Sequence, residues 1–73
     1  MSSPNDVCAR FGERLRRLRK GKGFNQLEFS EKCGIENSHL SRLETGKREP
    51  GLYMLELLAK GLGVSISELM KGV

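Results

Sequence analysis

At 73 residues and a net charge of +4, the chain has room for one domain with a small core, to which close helix packing or oligomerisation adds stability. No apolar run approaches the roughly 18 residues of a membrane span, and Met1-Ser2-Ser3-Pro4-Asn5-Asp6 lacks the charged-then-apolar form of a signal peptide, so a cytoplasmic protein with no membrane contact is expected. Cys8, Cys33 and His39 do not form a zinc spacing, and with no nucleophile–base pairing and no phosphate loop the chain is read as a non-enzyme without cofactor, metal or small-molecule ligand.

The expected fold is all-α: a compact single domain of five short helices over residues 1–73, with a flexible N-terminus at about 1–5. The first helix runs from about Asp6 to Lys22. Phe11, Leu15 and Leu18 form its apolar stripe at i, i+4 and i+7, and Gly21 and Gly23 end it. Residues 10–22 carry seven cationic side chains against Glu13 alone, a local +6 that leaves −2 for the rest of the chain. Taken alone, such a block fits either a nucleic-acid footprint or a solvated helix face.

The second helix opens on Asn25, with Glu28 three positions on, the pattern of a capping box. Leu27, Phe29, Ser30 and Cys33 are its candidate contact residues. Reduced Cys33 reads as a small hydrophobe. Gly34 stops the helix, because a sharp reversal needs a residue that tolerates positive φ, and Ile35 follows as a plug into the core. The third helix covers about Asn37 to Glu44 and ends at Thr45-Gly46-Lys47. Glu49-Pro50-Gly51 is a turn. The fourth helix spans about Leu52 to Leu62, with Leu52, Leu55, Leu58, Ala59 and Leu62 on one side, and Gly63 closes it. Ser65-Ile66-Ser67-Glu68 is a second capping box opening a short fifth helix with Leu69 and Met70.

Two helices joined at Gly34 form a helix-turn-helix, a unit that can set one helix into the major groove of DNA. At about 100° per residue from Asn37, Leu40 and Leu43 fall on the buried side of the third helix. Ser38, Ser41 and Arg42 face outward, with Asn37 at the edge and His39 and Glu44 on the flanks. Arginine can donate twice to guanine, asparagine can pair with adenine, and serine serves either sense. The same residue types also suit an ordinary solvated exterior.

Taken together, these segments resemble the Cro/C1-type helix-turn-helix domain, the XRE family of lambda-repressor-like DNA-binding proteins. The matching residues are Phe11-Gly12-Glu13-Arg14-Leu15-Arg16-Arg17-Leu18-Arg19, Asn25-Gln26-Leu27-Glu28, Gly34-Ile35, the run from Leu40 to Pro50, and Leu62-Gly63-Val64. The likeness spans about residues 10 to 70. It implies base reading by Asn37, Ser38 and Arg42, with Glu36 and His39 at their margins. Gln26, Lys47 and Arg48 are implied phosphate contacts, and Ser41 on the outward face joins them. Arg19 and Glu44 match an internal ion pair. Three residues depart from the family pattern: Ser30 stands in place of alanine, Glu36 in place of a hydroxyl cap, and Gly51 in place of the hydroxyl cap of the fourth helix. The Ser30 hydroxyl therefore needs a partner, such as a carbonyl one turn back.

The function expected is a sequence-specific transcriptional regulator that binds double-stranded DNA as a homodimer on a palindromic operator. A two-fold dimer doubles the few base contacts of one short helix. The expected interface is Met54, Leu57, Ile66, Leu69, Met70 and Val73, which offer more apolar surface than so small a core absorbs. With little chain after the fifth helix, regulation by the protein's own concentration is expected. Within the family, restriction-modification controller proteins and small phage or plasmid repressors have this length. An antitoxin that masks a toxin, with DNA binding secondary, is the competing reading, and a toxin-binding extension would be its mark.

Overall fold

The computed structural model describes residues 4–73, with side chains from Asp6 onward. Five helices follow one another: α1 (Pro4–Gly21), α2 (Gln26–Cys33), α3 (Asn37–Glu44), α4 (Leu52–Leu62) and α5 (Ile66–Leu69). α1 begins two residues earlier than the sequence suggested. Proline suits a first helical position because its fixed φ matches the helix and its missing amide is not needed there. Of the flexible segment expected at 1–5, residues 1–3 lie outside the described residues, and residues 4 and 5 are helical.

Local chemistry sets the helix ends. Asn25 caps α2 with the reciprocal pair expected: the Glu28 amide donates to Asn25 Oδ1 at 2.7 Å, and the Asn25 amide donates to Glu28 Oε1 at 2.9 Å. Gly34 ends α2 at φ +74, and the Ile35 amide donates to the Ser30 carbonyl at 3.0 Å. That closure satisfies carbonyls a helix end otherwise leaves open. At α5 only half of the expected box forms. Ser65 Oγ accepts from the Glu68 amide at 3.0 Å, while the Glu68 carboxylate lies 3.6 Å from Arg14 Nη2.

α1 packs on α3 and α5, α2 on α3 and α4, and α4 on α5. Their shared core comprises Phe11, Leu15, Phe29, Cys33, Leu40, Leu43, Leu58, Ala59, Leu62 and Leu69. Each buried leucine or phenylalanine contributes about 1.5–3 kcal/mol by leaving water. Burial also pushes the Cys33 thiol pKa up, with Lys32 opposing the shift. The thiol therefore stays protonated and packs as an apolar group.

Three expected contact residues need correction. Leu27 is 57% exposed and Leu52 is 85% exposed. Leu27 lies about 200° around α2 from Phe29, off the stripe that carries Phe29, Ser30 and Cys33. Leu52 has the right angle on α4 but is its first residue, where no neighbouring element covers it. Leu69, assigned to a dimer interface, is fully buried in the core and presents no surface to a partner. It is the one apolar side chain that α5 sets into the core, so the four-residue helix depends on it for packing. Met54, Met70 and Val73 are half-buried against the core, Leu57 is half-buried, and Ile66 is 43% exposed. No described helix is long and apolar enough to cross a membrane.

Candidate nucleic-acid interface

α3 is eight residues long and buries one side only. Leu40 and Leu43 are fully buried, while Glu36, Asn37, Ser38 and Arg42 are exposed and His39 and Ser41 are half-buried. The outward face is therefore the polar one expected from the helical wheel. Glu36 takes the extended N-cap conformation but makes no side-chain cap bond. Its carboxylate instead receives a long 3.5 Å contact from the Ser38 hydroxyl. The first turn of α3 thus keeps amides without a capping side chain, and such a helix end favours an anion.

Behind this face, α3 is fixed to α1 by charge. Arg19 Nε donates to Glu44 Oε2 at 2.6 Å and Arg19 Nη2 to Glu44 Oε1 at 3.0 Å. The two side chains are only 6% and 2% exposed. A forked guanidinium–carboxylate pair fixes orientation as well as distance. The remaining Arg19 nitrogen, Nη1, donates to the Phe24 carbonyl at 2.8 Å, which ties the α1–α2 loop to the same centre.

Gln26 joins that centre, a link not apparent from the sequence. Its Nε2 donates to Glu44 Oε1 at 3.0 Å. The side chain expected to meet a phosphate is thus oriented by the carboxylate that holds α3. A second Nε2 hydrogen and the amide oxygen remain beyond this bond. The signal in the sequence was faint, since Gln26 and Glu44 stand 18 positions apart and share no periodicity.

Close approach of α1 to α3 depends on Gly12, which the sequence reading placed only within a matching motif. A Cβ there would lie 2.7 Å from the Leu43 carbonyl oxygen and would overlap the Glu44 carbonyl, both backbone atoms. The Ser30 hydroxyl donates to the Leu27 carbonyl at 2.9 Å, the back-bonded partner its position required. After α3, Thr45 Oγ1 donates to the Ser41 carbonyl at 2.9 Å, Gly46 turns at φ +76, and the Lys47 amide donates to the Arg42 carbonyl at 2.9 Å. The exposed side chains of Lys47 and Arg48 therefore start from a backbone folded onto the last turn of α3.

The basic block of residues 10–22 divides between inside and outside. Arg19 is buried, Arg10 and Arg14 reach backbone carbonyls near the C-terminal end of the chain, and Arg16, Arg17, Lys20 and Lys22 are exposed.

Comparison with known proteins agrees with this geometry. The helix-turn-helix family HTH_3 matches residues 15–69. Control protein C.MunI from a Mycoplasma species is 37% identical over 70 residues, covering 94% of this chain and 95% of that protein. The crystal structure of the restriction-modification controller protein C.AhdI from Aeromonas hydrophila aligns with a TM-score of 0.83 at 34% identity, covering 85% of this chain and 94% of that one. The regulator SinR from Bacillus subtilis is 35% identical over 60 residues, but the chain spans only 54% of its length. An exposed polar face on α3, a locked helix pair and a match across most of the sequence lead to one assignment: the chain belongs to the HTH_3 helix-turn-helix family of DNA-binding transcriptional regulators, which is not a family of enzymes.

Proposed function

We propose that this regulator is a restriction-modification controller that binds a palindromic operator as a homodimer. The observation that carries the reading is the outward face of α3, where Asn37, Ser38 and Arg42 stand exposed on a helix held from behind by Arg19 and Glu44. Near end-to-end similarity to two control proteins supports the controller setting. In this reading Asn37, Ser38 and Arg42 contact base edges, with Glu36 and His39 beside them. Gln26, Ser41, Lys47 and Arg48 hold flanking phosphates.

Homodimerisation follows from the small reading surface. A helix of eight residues contacts few base pairs, and a two-fold partner doubles them. Ile66, with the half-buried Met54, Leu57, Met70 and Val73, supplies the apolar surface for that partner. Leu69 supports this surface from within.

Selection of bound duplexes from a random pool tests the operator and its symmetry together. The expected result is an inverted repeat with half-site centres about 10 bp apart. Enrichment of a single asymmetric site, with the protein sedimenting as a monomer on it, would overturn the proposal.

A further inference from the structure

We propose that the flank of α1 facing α5 is an oxyanion site, formed by Arg10, Arg14, Arg17 and Lys71, that takes a phosphate group. These four cations line one open cleft of about 190 Å³, together with Glu13 and Gly72. Two of the arginines, the exposed Arg10 and the half-buried Arg14, bond main-chain oxygens. Arg10 Nε donates to the Val73 carbonyl at 3.1 Å, and Arg14 Nη2 donates to the Glu68 carbonyl at 2.8 Å. Guanidinium groups fixed in this way are already ordered for an anion, so binding orders little that is not ordered before.

Arg14 carries the second observation. Its Nε is buried and has no hydrogen-bond partner. A buried donor without an acceptor is rare and unfavourable, and it leaves the Arg14 guanidinium short of one partner. Arg17 and Lys71 are exposed, make no hydrogen bond or ion pair among the described residues, and are free to close over an anion from the solvent side. The opposing charges are Glu13, which lines the cleft, and Glu68, whose carboxylate lies 3.6 Å from Arg14 Nη2. Four cations face these two side-chain carboxylates and the main-chain oxygen of Val73 that Arg10 holds.

The cleft is separate from the face that reads DNA. α1 turns Gly12 and Arg19 toward α3 but Arg10 and Arg14 toward the α5 end. Arg14 and Arg19 stand about 140° apart around the helix. The cations of the cleft are therefore not needed to seat α3. A phosphate group bound there comes either from a duplex extending past the operator or from a free phosphate compound, and the chemistry of recognition is the same.

Two measurements on the full chain separate these sources. The first is calorimetric titration with sodium tripolyphosphate in chloride buffer at fixed ionic strength. R17A/K71A removes two exposed cations without touching the core, and its affinity should fall about tenfold or more through loss of two charge-assisted contacts. E13Q removes the one carboxylate that lines the cleft, and its affinity should rise. The second measurement is the salt dependence of binding to a long duplex carrying the selected operator. A slope lowered by about 2 in R17A/K71A assigns the site to DNA phosphate. An unchanged slope with lost tripolyphosphate affinity assigns it to a free compound. If R17A/K71A matches the wild-type protein in both measurements, there is no oxyanion site on this flank.

Discussion

In the proposed reading, Arg42 is the residue on which sequence discrimination most depends. It is exposed, stands on the outward face of α3, and makes no side-chain bond among the described residues, so both edges of its guanidinium are open to a base. A bidentate contact to guanine discriminates by about 1–3 kcal/mol against a wrong base pair. Arg42→Ala should therefore lose about that much at one operator position and become indifferent to the base there. Binding to a panel of single-substitution operators measures it. Uniform weakening across the panel would make Arg42 a phosphate contact instead. The outward placement of Asn37, Ser38 and Arg42 was legible in the sequence, because Leu40 and Leu43 fix the buried side of so short a helix. The Gln26–Glu44 bond was not, because contacts between distant side chains leave no period in a sequence. Gly12 likewise reads as an ordinary helical glycine until the Leu43 and Glu44 carbonyls are seen against it.

At the scale of the element, α3 is anchored through its C-terminal end. At that end, Glu44 is shared between Arg19 and Gln26, so one carboxylate both anchors the helix and orients the side chain proposed as a phosphate contact. Glu44→Ala leaves the buried Arg19 charge unpaired and should cost about 3–5 kcal/mol in urea unfolding. Arg19→Met combined with Glu44→Leu should recover much of that loss, because an apolar pair of similar volume avoids the desolvation penalty. The double variant should nevertheless bind DNA more weakly, since Gln26 has lost its acceptor. Equal DNA affinity in a stable double variant would confine the pair to packing. Past that end, Lys47 is exposed on a backbone tied to Arg42. Lys47→Ala should weaken all sequences alike and lower the salt slope by about 1, as expected for one phosphate contact. An unchanged slope removes Lys47 from the contact set. The helix boundaries themselves were readable because caps are local chemistry, as at Asn25 and Gly34. Burial at the ends was less so. Leu52 has the periodicity of a core residue, and only its position on the first turn of α4 exposes it.

For the molecule as a whole, the proposed dimer would present two copies of α3 at once, and the region around α5 is where it would be held. α5 is four residues long and sets a single apolar side chain, Leu69, into the core. Arg10 and Arg14 of α1 hold the backbone around it at Val73 and Glu68. The apolar surface beside α5 is thus supported from within by packing and from one flank by two charge-assisted bonds, so the interface proposed there would need little further ordering. The sequence marked this region by its apolar content but could not separate supporting from contacting residues, because both are apolar and lie on neighbouring positions. Burial separates them: Leu69 supports, and Ile66, 43% exposed, is free to contact a second copy. Ile66→Glu should accordingly leave the monomer folded, with its melting temperature measured at low concentration nearly unchanged, while placing two like charges near the two-fold axis. At micromolar concentration the wild-type protein should sediment as a dimer and Ile66→Glu as a monomer. Affinity for the full operator should fall steeply, while affinity for an isolated half-site changes little because the α3 face is untouched. A wild-type dimer with an unchanged Ile66→Glu dimer would move the interface away from α5. A wild-type monomer on palindromic DNA would remove two-fold reading altogether.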